Sequence, residues 1–276
     1  MKAYSVNLKD NYSFLQGGVL QCILMDMPFD IETDWKRPAV IVVPGGGYGM
    51  VSKREGEPVA AQFLAKGFQT FVLTYLCAPD KVRYPEQLFE LSCAVDYVKK
   101  HAEEFCVNPD EVFVIGFSAG GHLTGNLAVE HQNVSQKAGV ELDCRPTATG
   151  LCYPVISSIH GHFSSFENLL DGYTDEAKTE LLKTLNLDEA VNKDTPPAFI
   201  WATAEDELVP TDNSIRYAWA LDKQGISYEL HIYPTGRHGL SVGDKEICTQ
   251  MGETQKAARW VNDCIEFFHR YVKEPF

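Results

Sequence analysis

The segment 112–122 reads VFVIGFSAGGH and carries the clearest structural signal in the chain. Its first four residues are apolar without alternation, as expected for a central strand covered on both faces. Ser118 follows, with glycines on both sides and a helical pattern after it. Glycine is needed around a serine on a sharp strand-to-helix turn, because side chains there would collide with neighbouring elements. The segment therefore predicts a nucleophilic serine whose hydroxyl is lifted clear of the edge of a sheet.

Strand and helix patterns alternate on both sides of this segment. Short β-branched or aromatic runs predict seven strands: Val19–Met25, Ala39–Val43, Phe68–Tyr75, Glu111–Phe117, Thr149–Ile156, Ala198–Thr203 and Tyr228–Tyr233. Apolar residues at helical spacing predict five helices: Glu57–Lys66, Pro85–Glu104, Gly121–Glu130, Asn213–Lys223 and Gln255–Tyr271. This alternation predicts the α/β class, with a mostly parallel central sheet flanked by helices.

The length of 276 residues fits one elaborated domain better than two, so we expect residues 1–276 to form a single domain. One irregular region, 157–197, contains a helical piece near Ala177–Leu185 and ends with two prolines. It is either a surface excursion or a small cap over a pocket, since long insertions in compact α/β domains are often functional.

The charge balance restricts the partners. The chain has 24 Lys and Arg against 38 Asp and Glu, which gives a net charge of −14. This charge argues against binding to nucleic acid or to anionic lipid, because both are polyanionic. No apolar run is long enough for a membrane span, and the first residues lack the apolar stretch of a signal peptide. These features predict a cytoplasmic protein that does not act on a membrane.

The cysteines form no pattern typical of a metal module or a disulfide framework. They are scattered, without a CxxC pair: Cys22, Cys77, Cys93, Cys106, Cys144, Cys152, Cys248 and Cys264. We interpret them as small buried apolar residues and predict no metal site.

A serine nucleophile needs a base, and the base needs an acidic partner. The predicted strand Ala198–Thr203 is followed by AEDELVP, an acidic turn at the carboxyl end of a strand, where ligands bind in open α/β sheets. Asp206 is the predicted acid, and Glu205 is its main rival.

His238 is the predicted general base. It lies just beyond the strand Tyr228–Tyr233 in the loop PTGRHGL, between Gly236 and Gly239. A histidine in a flexible, glycine-bracketed loop at a strand end is well placed to reach a nucleophile. Other histidines are weaker candidates: His231 falls inside a strand pattern, His122 in the helix after Ser118, and His160 and His162 remain open as pocket residues.

The segment PGGGYG, residues 44–49, follows the predicted strand Ala39–Val43. Consecutive glycines let main-chain N–H groups approach an oxyanion, and the N–H groups of Gly46, Gly47 and Ala119 are the predicted donors. The loop lacks the spacing of a nucleotide-binding motif. Tyr48 and His122 are predicted to help bind the substrate.

These motifs resemble those of the α/β-hydrolase superfamily, and more closely its acetylxylan or feruloyl esterase-like and hormone-sensitive-lipase-like members. The resemblance rests on PGGGY from Pro44, GFSAGGH from Gly116, EDELVP from Glu205 and GRHGL from Gly236, and it covers about residues 37–271. Lipase-like relatives usually carry a histidine before the glycines, where this chain has Pro44.

The resemblance implies an α/β-hydrolase fold with a small cap-like insertion, and a serine esterase that acts through an acyl-enzyme. It implies a small-molecule ester as the substrate, with acetylated carbohydrate as the leading class, and no metal or organic cofactor. An arylformamidase, a prolyl-oligopeptidase-like peptidase and a catalytically silent scaffold stay open as alternatives, and so does a homo-oligomeric state.

Overall fold

A computed structural model of the chain describes residues 1–26, 35–160, 162–244 and 256–273. Within these ranges the chain forms one sheet of eight strands. The strands are β1 (Lys2–Asn7), β2 (Val19–Leu24), β3 (Arg37–Val43), β4 (Gln69–Thr74), β5 (Val107–Phe117), β6 (Thr149–Cys152), β7 (Ala198–Thr203) and β8 (Tyr228–Tyr233).

The strand order across the sheet is β1-β2-β4-β3-β5-β6-β7-β8. β2 pairs antiparallel with both β1 and β4, and every other pair is parallel. In the register of β3 and β5, Val43 lies opposite Gly116. The loops that follow these two strands therefore leave the same edge of the sheet side by side, and the ends of β7 and β8 lie along that edge too.

Helices cover both faces of the sheet. In the described residues they are α1 (Glu57–Leu64), α2 (Glu86–Lys100), α3 (Ala102–Phe105), α4 (Ala119–Ala138), α5 (Phe163–Leu169), α6 (Asp175–Leu185), α7 (Leu187–Ala190), α8 (Asp212–Lys223) and α9 (Trp260–His269).

The alternation of strand side chains gives the sheet two apolar faces. Val40 and Val42 pack with residues of α1 and α9, whereas Ile41 and Val43 pack with residues of α2 and α4. β3 is buried on both faces for this reason, which accounts for its continuous apolar run.

The predicted fold class is confirmed, because the sheet is mostly parallel and helices flank it. All seven predicted strands are present, and β7 and β8 have the predicted bounds. β1 is a further strand, and the predicted strand at Thr149 ends earlier, at Cys152. The predicted helix from Gln255 begins outside the described residues, within which α9 covers Trp260–His269.

Candidate active site

Ser118 lies in the turn between β5 and α4, with φ 53° and ψ −118°. The turn is so tight that a Cβ added at Gly116 would lie 2.1 Å from the carbonyl oxygen of Gly120. A Cβ at Gly120 would lie 2.2 Å from the carbonyl oxygen of Val43. Only glycine fits at these two positions, so the two glycines permit the tight turn that presents the serine.

His238 lies between Ser118 and Asp206. Its Nε2 is 2.8 Å from Ser118 Oγ, and its Nδ1 is 2.6 Å from Asp206 Oδ2. A carboxylate only accepts hydrogen bonds, so Nδ1–H donates to Asp206 and Nε2 is left to accept the Ser118 hydroxyl proton. The three side chains thus come from the loops after β5, β7 and β8, in the order predicted for nucleophile, acid and base.

The Asp206 side chain is fully buried. Its second oxygen, Oδ1, accepts the N–H groups of Leu208 at 3.0 Å and Val209 at 2.9 Å. These bonds fix the carboxylate and satisfy the oxygen that does not face the imidazole. The rival acid, Glu205, has a different partner: its Oε2 accepts the N–H of Gly236 at 3.0 Å. Glu205 therefore supports the backbone of the histidine loop, two residues before His238.

The other candidate histidines lie at different places. His231 is in β8 beside Glu229, 3.2 Å away, and the Nδ1 of His160 is 3.6 Å from Asp212. His162 lines the cleft above Ser118. Of the histidines considered in the sequence, only His238 has its ring within hydrogen-bonding distance of the Ser118 hydroxyl.

The glycine loop lies against the serine turn and has a backbone that requires glycine. Gly46 has φ 127° and Gly47 has φ 62°. A Cβ at Gly46 would lie 2.0 Å from the carbonyl oxygen of Met50. Among the described residues, no hydrogen-bond acceptor takes the N–H of Gly46, Gly47 or Ala119. Three backbone donors thus remain available beside a serine hydroxyl.

A cleft of about 750 Å³ opens over the serine. Ser118, His238, Gly46 and Gly47 line it, together with Met50. Its volume is within the range of about 300–1,000 Å³ typical of small-molecule sites.

The 157–197 insertion reaches this cleft through α5. Asn168 lines the cleft and donates from Nδ2 to the carbonyl oxygen of Gly47 at 2.8 Å. His162, just before α5, lines it as well. The sequence left His162 open as a pocket residue and gave no indication of Asn168. No motif marks the residues of an irregular region.

Tyr48 and His122 lie beneath the glycine loop and not on the cleft surface. Both are fully buried, and the Tyr48 hydroxyl donates to His122 Nδ1 at 2.8 Å. His122 Nε2–H donates to the carbonyl oxygen of Leu185 at 2.8 Å, at the end of α6. Burial lowers the pKa of His122 to about 4, so the ring is neutral at pH 7. The predicted substrate contact by Tyr48 and His122 is corrected by this placement, which makes them supports of the loop.

Glu55 is a site residue that sequence reasoning missed. It is buried at the border of the cleft and accepts hydrogen bonds from Gly45 N–H and from the Tyr153 hydroxyl. The sequence shows it only as one of several charged residues in KREGE after the glycine loop. A run of charged residues normally indicates a solvated turn, so the sequence gives no signal that Glu55 is buried.

Two further features concern ligands and membranes. Within the described ranges, no three His, Cys, Asp or Glu side chains converge as the ligands of a metal ion would. None of the helices in the described part of the chain has the length and apolar character that crossing a bilayer demands.

A serine presented by a strand–turn–helix at the carboxyl edge of a mostly parallel, helix-covered sheet defines an α/β-hydrolase. More specifically, the chain belongs to the BD-FAE family, whose model matches residues 25–221. The resemblance inferred from the four motifs is thereby confirmed.

Two curated relatives are similar over most of this chain. It is 36% identical to the endo-1,4-beta-xylanase B of Butyrivibrio fibrisolvens over 220 residues, which are 78% of this chain and 34% of the xylanase. It is 32% identical to the acetylxylan esterase of Xylanibacter ruminicola over 253 residues, 88% of this chain and 47% of the esterase. The chain thus spans about a third and about half of the length of these relatives.

Solved structures match the whole fold. An acetyl ester-xyloside bifunctional hydrolase from Caldicellulosiruptor lactoaceticus superposes with a TM-score of 0.80 at 31% identity, over 97% of this chain and 96% of that one. The carboxylesterase Cest-2923 from Lactobacillus plantarum gives a TM-score of 0.85 at 25% identity, over 98% of both chains. These matches extend the similarity in fold to carboxylic ester hydrolases of known structure over nearly the whole chain.

Proposed function

We propose that this chain is a serine carboxylic-ester hydrolase in which Ser118 is the nucleophile, His238 the general base and Asp206 the acid that orients it. The observation that carries the proposal is the continuous hydrogen-bonded series from Asp206 Oδ2 through the His238 ring to Ser118 Oγ, with links of 2.6 and 2.8 Å. This is the arrangement by which a weak hydroxyl nucleophile is activated.

In the acylation step, Ser118 Oγ attacks the ester carbonyl carbon while His238 Nε2 takes the hydroxyl proton. The carbonyl oxygen becomes an oxyanion, which the N–H groups of Gly46, Gly47 and Ala119 stabilise. The tetrahedral intermediate then collapses, the bond to the alcohol oxygen breaks, and the His238 imidazolium returns its proton to that oxygen. The alcohol leaves, and the acyl group stays on Ser118.

Deacylation repeats the sequence with water as the nucleophile. His238 takes a proton from water, the hydroxide oxygen bonds to the acyl carbon, and Ser118 Oγ leaves with the proton returned by the imidazolium. Each step uses groups of the chain itself, so we propose that the reaction needs neither a metal ion nor an organic cofactor.

For the substrate we propose acetylated sugars or xylo-oligosaccharides. The names of the acetylxylan esterase and the acetyl ester-xyloside hydrolase support this class. The cleft of about 750 Å³ is also far larger than an acetyl group and leaves room for a sugar on the alcohol side. A neutral substrate fits a chain whose net charge is −14, because such a chain repels polyanions.

We further propose that the protein works in the cytoplasm, is not bound to membranes and does not bind nucleic acid. The seven cysteines that the structure describes are free thiols, and six of them are buried. A reducing compartment suits such a set of thiols.

The function is tested with Ser118→Ala and p-nitrophenyl acetate. We expect kcat to fall at least about a thousandfold, because the variant has no nucleophile. Ser92→Ala is the matched control, since Ser92 is also buried but lies in α2 and donates to the Leu88 carbonyl oxygen. Equal rates for wild type and Ser118→Ala would refute the mechanism.

The substrate class is tested on the active wild type. Acetylated xylo-oligosaccharide, formylkynurenine and a dipeptidyl amide represent the acetyl esterase, the arylformamidase and the peptidase. We expect the highest kcat/KM for the acetylated oligosaccharide. A higher kcat/KM for either of the other two compounds would replace the proposed substrate class while leaving the serine mechanism intact.

A further inference from the structure

Glu55 is a buried carboxylate next to the candidate active site, and the proposed mechanism does not use it. It ends the short 3₁₀ turn Lys53–Glu55 that precedes α1, and only 2% of the residue is exposed. No ion pair with another described residue balances it. A buried carboxylate is unfavourable unless hydrogen bonds satisfy it, so the partners of Glu55 indicate what holds it there.

One oxygen of Glu55 holds the start of the glycine loop. Oε2 accepts the N–H of Gly45 at 2.9 Å. Gly45 itself is packed tightly on the serine turn, since a Cβ added there would lie 2.6 Å from the carbonyl oxygen of Phe117 and 2.9 Å from Ser118 Cβ. Gly46 and Gly47, the proposed oxyanion donors, follow directly. The position of those donors relative to Ser118 therefore depends on the bond between Glu55 and Gly45.

The other oxygen reaches the histidine loop through Tyr153. Oε1 accepts the Tyr153 hydroxyl at 2.7 Å, and the same hydroxyl accepts the N–H of Ser241 at 3.0 Å. Ser241 is three residues after His238. The ring of Tyr153 also packs edge-on against the His238 ring, with centroids 5.0 Å apart and planes at 70°. Tyr153 thus contacts the proposed base directly and the backbone of its loop through a hydrogen bond.

We propose that Glu55 is a positioning residue, whose carboxylate holds the glycine loop and, through Tyr153, the histidine loop in the arrangement in which both face Ser118. This role rests on the proposed function, because it concerns the oxyanion donors and the base of that reaction. Glu55 has no role in proton transfer; it acts through Gly45 and Tyr153.

The role predicts a specific kinetic defect in Glu55→Gln. Glutamine has one acceptor oxygen and an amide NH₂ that only donates, so the Gly45 N–H and the Tyr153 hydroxyl can no longer both donate as they do to the carboxylate, and one of the two bonds must be lost or reversed. The donors and the base then spend less time in the productive arrangement. Since loss of a whole oxyanion donor costs about 100- to 1,000-fold in kcat, we expect a fall of about 10- to 100-fold for this partial loss, with little change in KM.

The experiment compares two variants with two matched controls. Glu55→Gln is paired with Glu111→Gln, because Glu111 is equally buried and accepts one backbone N–H, from Lys273, far from the cleft lining. Tyr153→Phe is paired with Tyr12→Phe, because the Tyr12 hydroxyl also donates to a buried carboxylate, that of Asp96. Thermal midpoints check that all four fold.

The readouts are kcat and KM for p-nitrophenyl acetate, and the inhibition constants of a trifluoromethyl ketone and of acetate. The ketone forms a tetrahedral adduct with the serine, whereas acetate binds without one. We expect Glu55→Gln and Tyr153→Phe to lose kcat and ketone affinity in parallel while acetate binding stays unchanged. The two controls should keep wild-type values for all four readouts.

Wild-type kcat and ketone affinity in Glu55→Gln would overturn the positioning role. If Glu55→Gln does not fold, Tyr153→Phe decides in the same way. Equal losses in the controls would also overturn it, since any buried carboxylate would then have the same effect. A wild type with no esterase activity, or an active Ser118→Ala, would instead refute the proposed function.

Discussion

The backbone of Ser118 adopts dihedral angles that L-residues rarely take, with φ 53° and ψ −118°. Such a conformation costs on the order of 1–3 kcal/mol and persists only where the surroundings hold it. Here the Ser118 N–H donates to the carbonyl oxygen of Cys152, and the Ser118 carbonyl oxygen accepts the N–H groups of His122 and Val155. These bonds offset the strain and keep the hydroxyl directed at His238.

The identity of the acid is testable because the two neighbouring carboxylates have different partners. In Asp206→Asn, an amide NH₂ facing His238 Nδ1 would favour the tautomer that cannot accept the serine proton. We expect kcat to fall about 10,000-fold. In Glu205→Gln the carbonyl oxygen can still accept the Gly236 N–H, so kcat should stay near that of wild type. Steady-state kinetics with p-nitrophenyl acetate measures both, and a larger loss in Glu205→Gln would reverse the assignment.

His122 should make the fold sensitive to acid. Its pKa is about 4 in the folded protein and about 6.5 in an unfolded chain, so the unfolded state takes up a proton first as the pH falls. The stability that the neutral ring contributes is fully present above pH 6.5 and is lost progressively down to pH 4. Between pH 7 and pH 5 the loss amounts to about 2 kcal/mol.

Urea unfolding of wild type and His122→Gln at the two pH values isolates this contribution, because all other groups are common to both proteins. We expect the variant to be less stable than wild type at pH 7, and the gap to shrink by about 2 kcal/mol at pH 5. A gap of the same size at both pH values would contradict a neutral, buried His122.

The order of Ser118, Asp206 and His238 at successive strand ends was readable because it depends only on local sequence and on the rule that parallel strands end at one edge. The placement of Tyr48 was not. Tyr48 has a φ of 57°, and its side chain lies inward against His122. A tyrosine in a sequence gives no signal that its backbone will take a positive φ. The burial of Glu55 likewise depends on Gly45 and Tyr153, which are distant in sequence or in another element.

At the scale of elements, strands with an apolar or aromatic run were predicted whether they are central, as β7 is, or at the sheet edge, as β8 is, and β1 was missed. β7 is buried along its whole length and has the predicted bounds, whereas β1 is mostly exposed and its sequence, KAYSVN, has no apolar run. β6 ends at Cys152 because Tyr153 takes φ 36° and Pro154 has no N–H to donate. Strand ends fixed by backbone geometry are not visible in an apolar pattern.

The role of the 157–197 insertion was also not visible in the sequence pattern. Its sequence left a surface excursion and a cap equally open, and its helix α6 is close to the predicted piece. Asn168 donates to the carbonyl oxygen of Gly47, and His122 of α4 donates to the carbonyl oxygen of Leu185, so the insertion contacts both the glycine loop and the helix that follows Ser118. We propose on these contacts that it is a small cap.

At the scale of the whole molecule, the apolar layers on the two faces share one sheet, and the four loops of the site leave one edge of it. The layer that contains α1 and α9 also contains Trp201 of β7, which stacks on Trp260 of α9 with centroids 5.4 Å apart. Every strand of the described residues belongs to this sheet, and each apolar layer packs on one of its faces. Unfolding of one layer therefore removes support from the same strands on which the other layer packs. We therefore propose that residues 1–276 are a single domain that unfolds as a unit.

Cooperative unfolding can be measured with three probes in urea. Far-UV circular dichroism reports the sheet and helices, esterase activity reports the loops around Ser118, and tryptophan fluorescence reports the buried pair Trp201 and Trp260. The other two tryptophans, the partly exposed Trp35 and the 59% exposed Trp219, would dilute the last signal, so the fluorescence is recorded on the double variant Trp35→Phe/Trp219→Phe. We expect one transition with the same midpoint for all three probes, because a two-state domain has no populated intermediate. Loss of activity at a clearly lower urea concentration than loss of the dichroism signal would mean that the loops or the insertion unfold separately, and the single-domain assignment would fail.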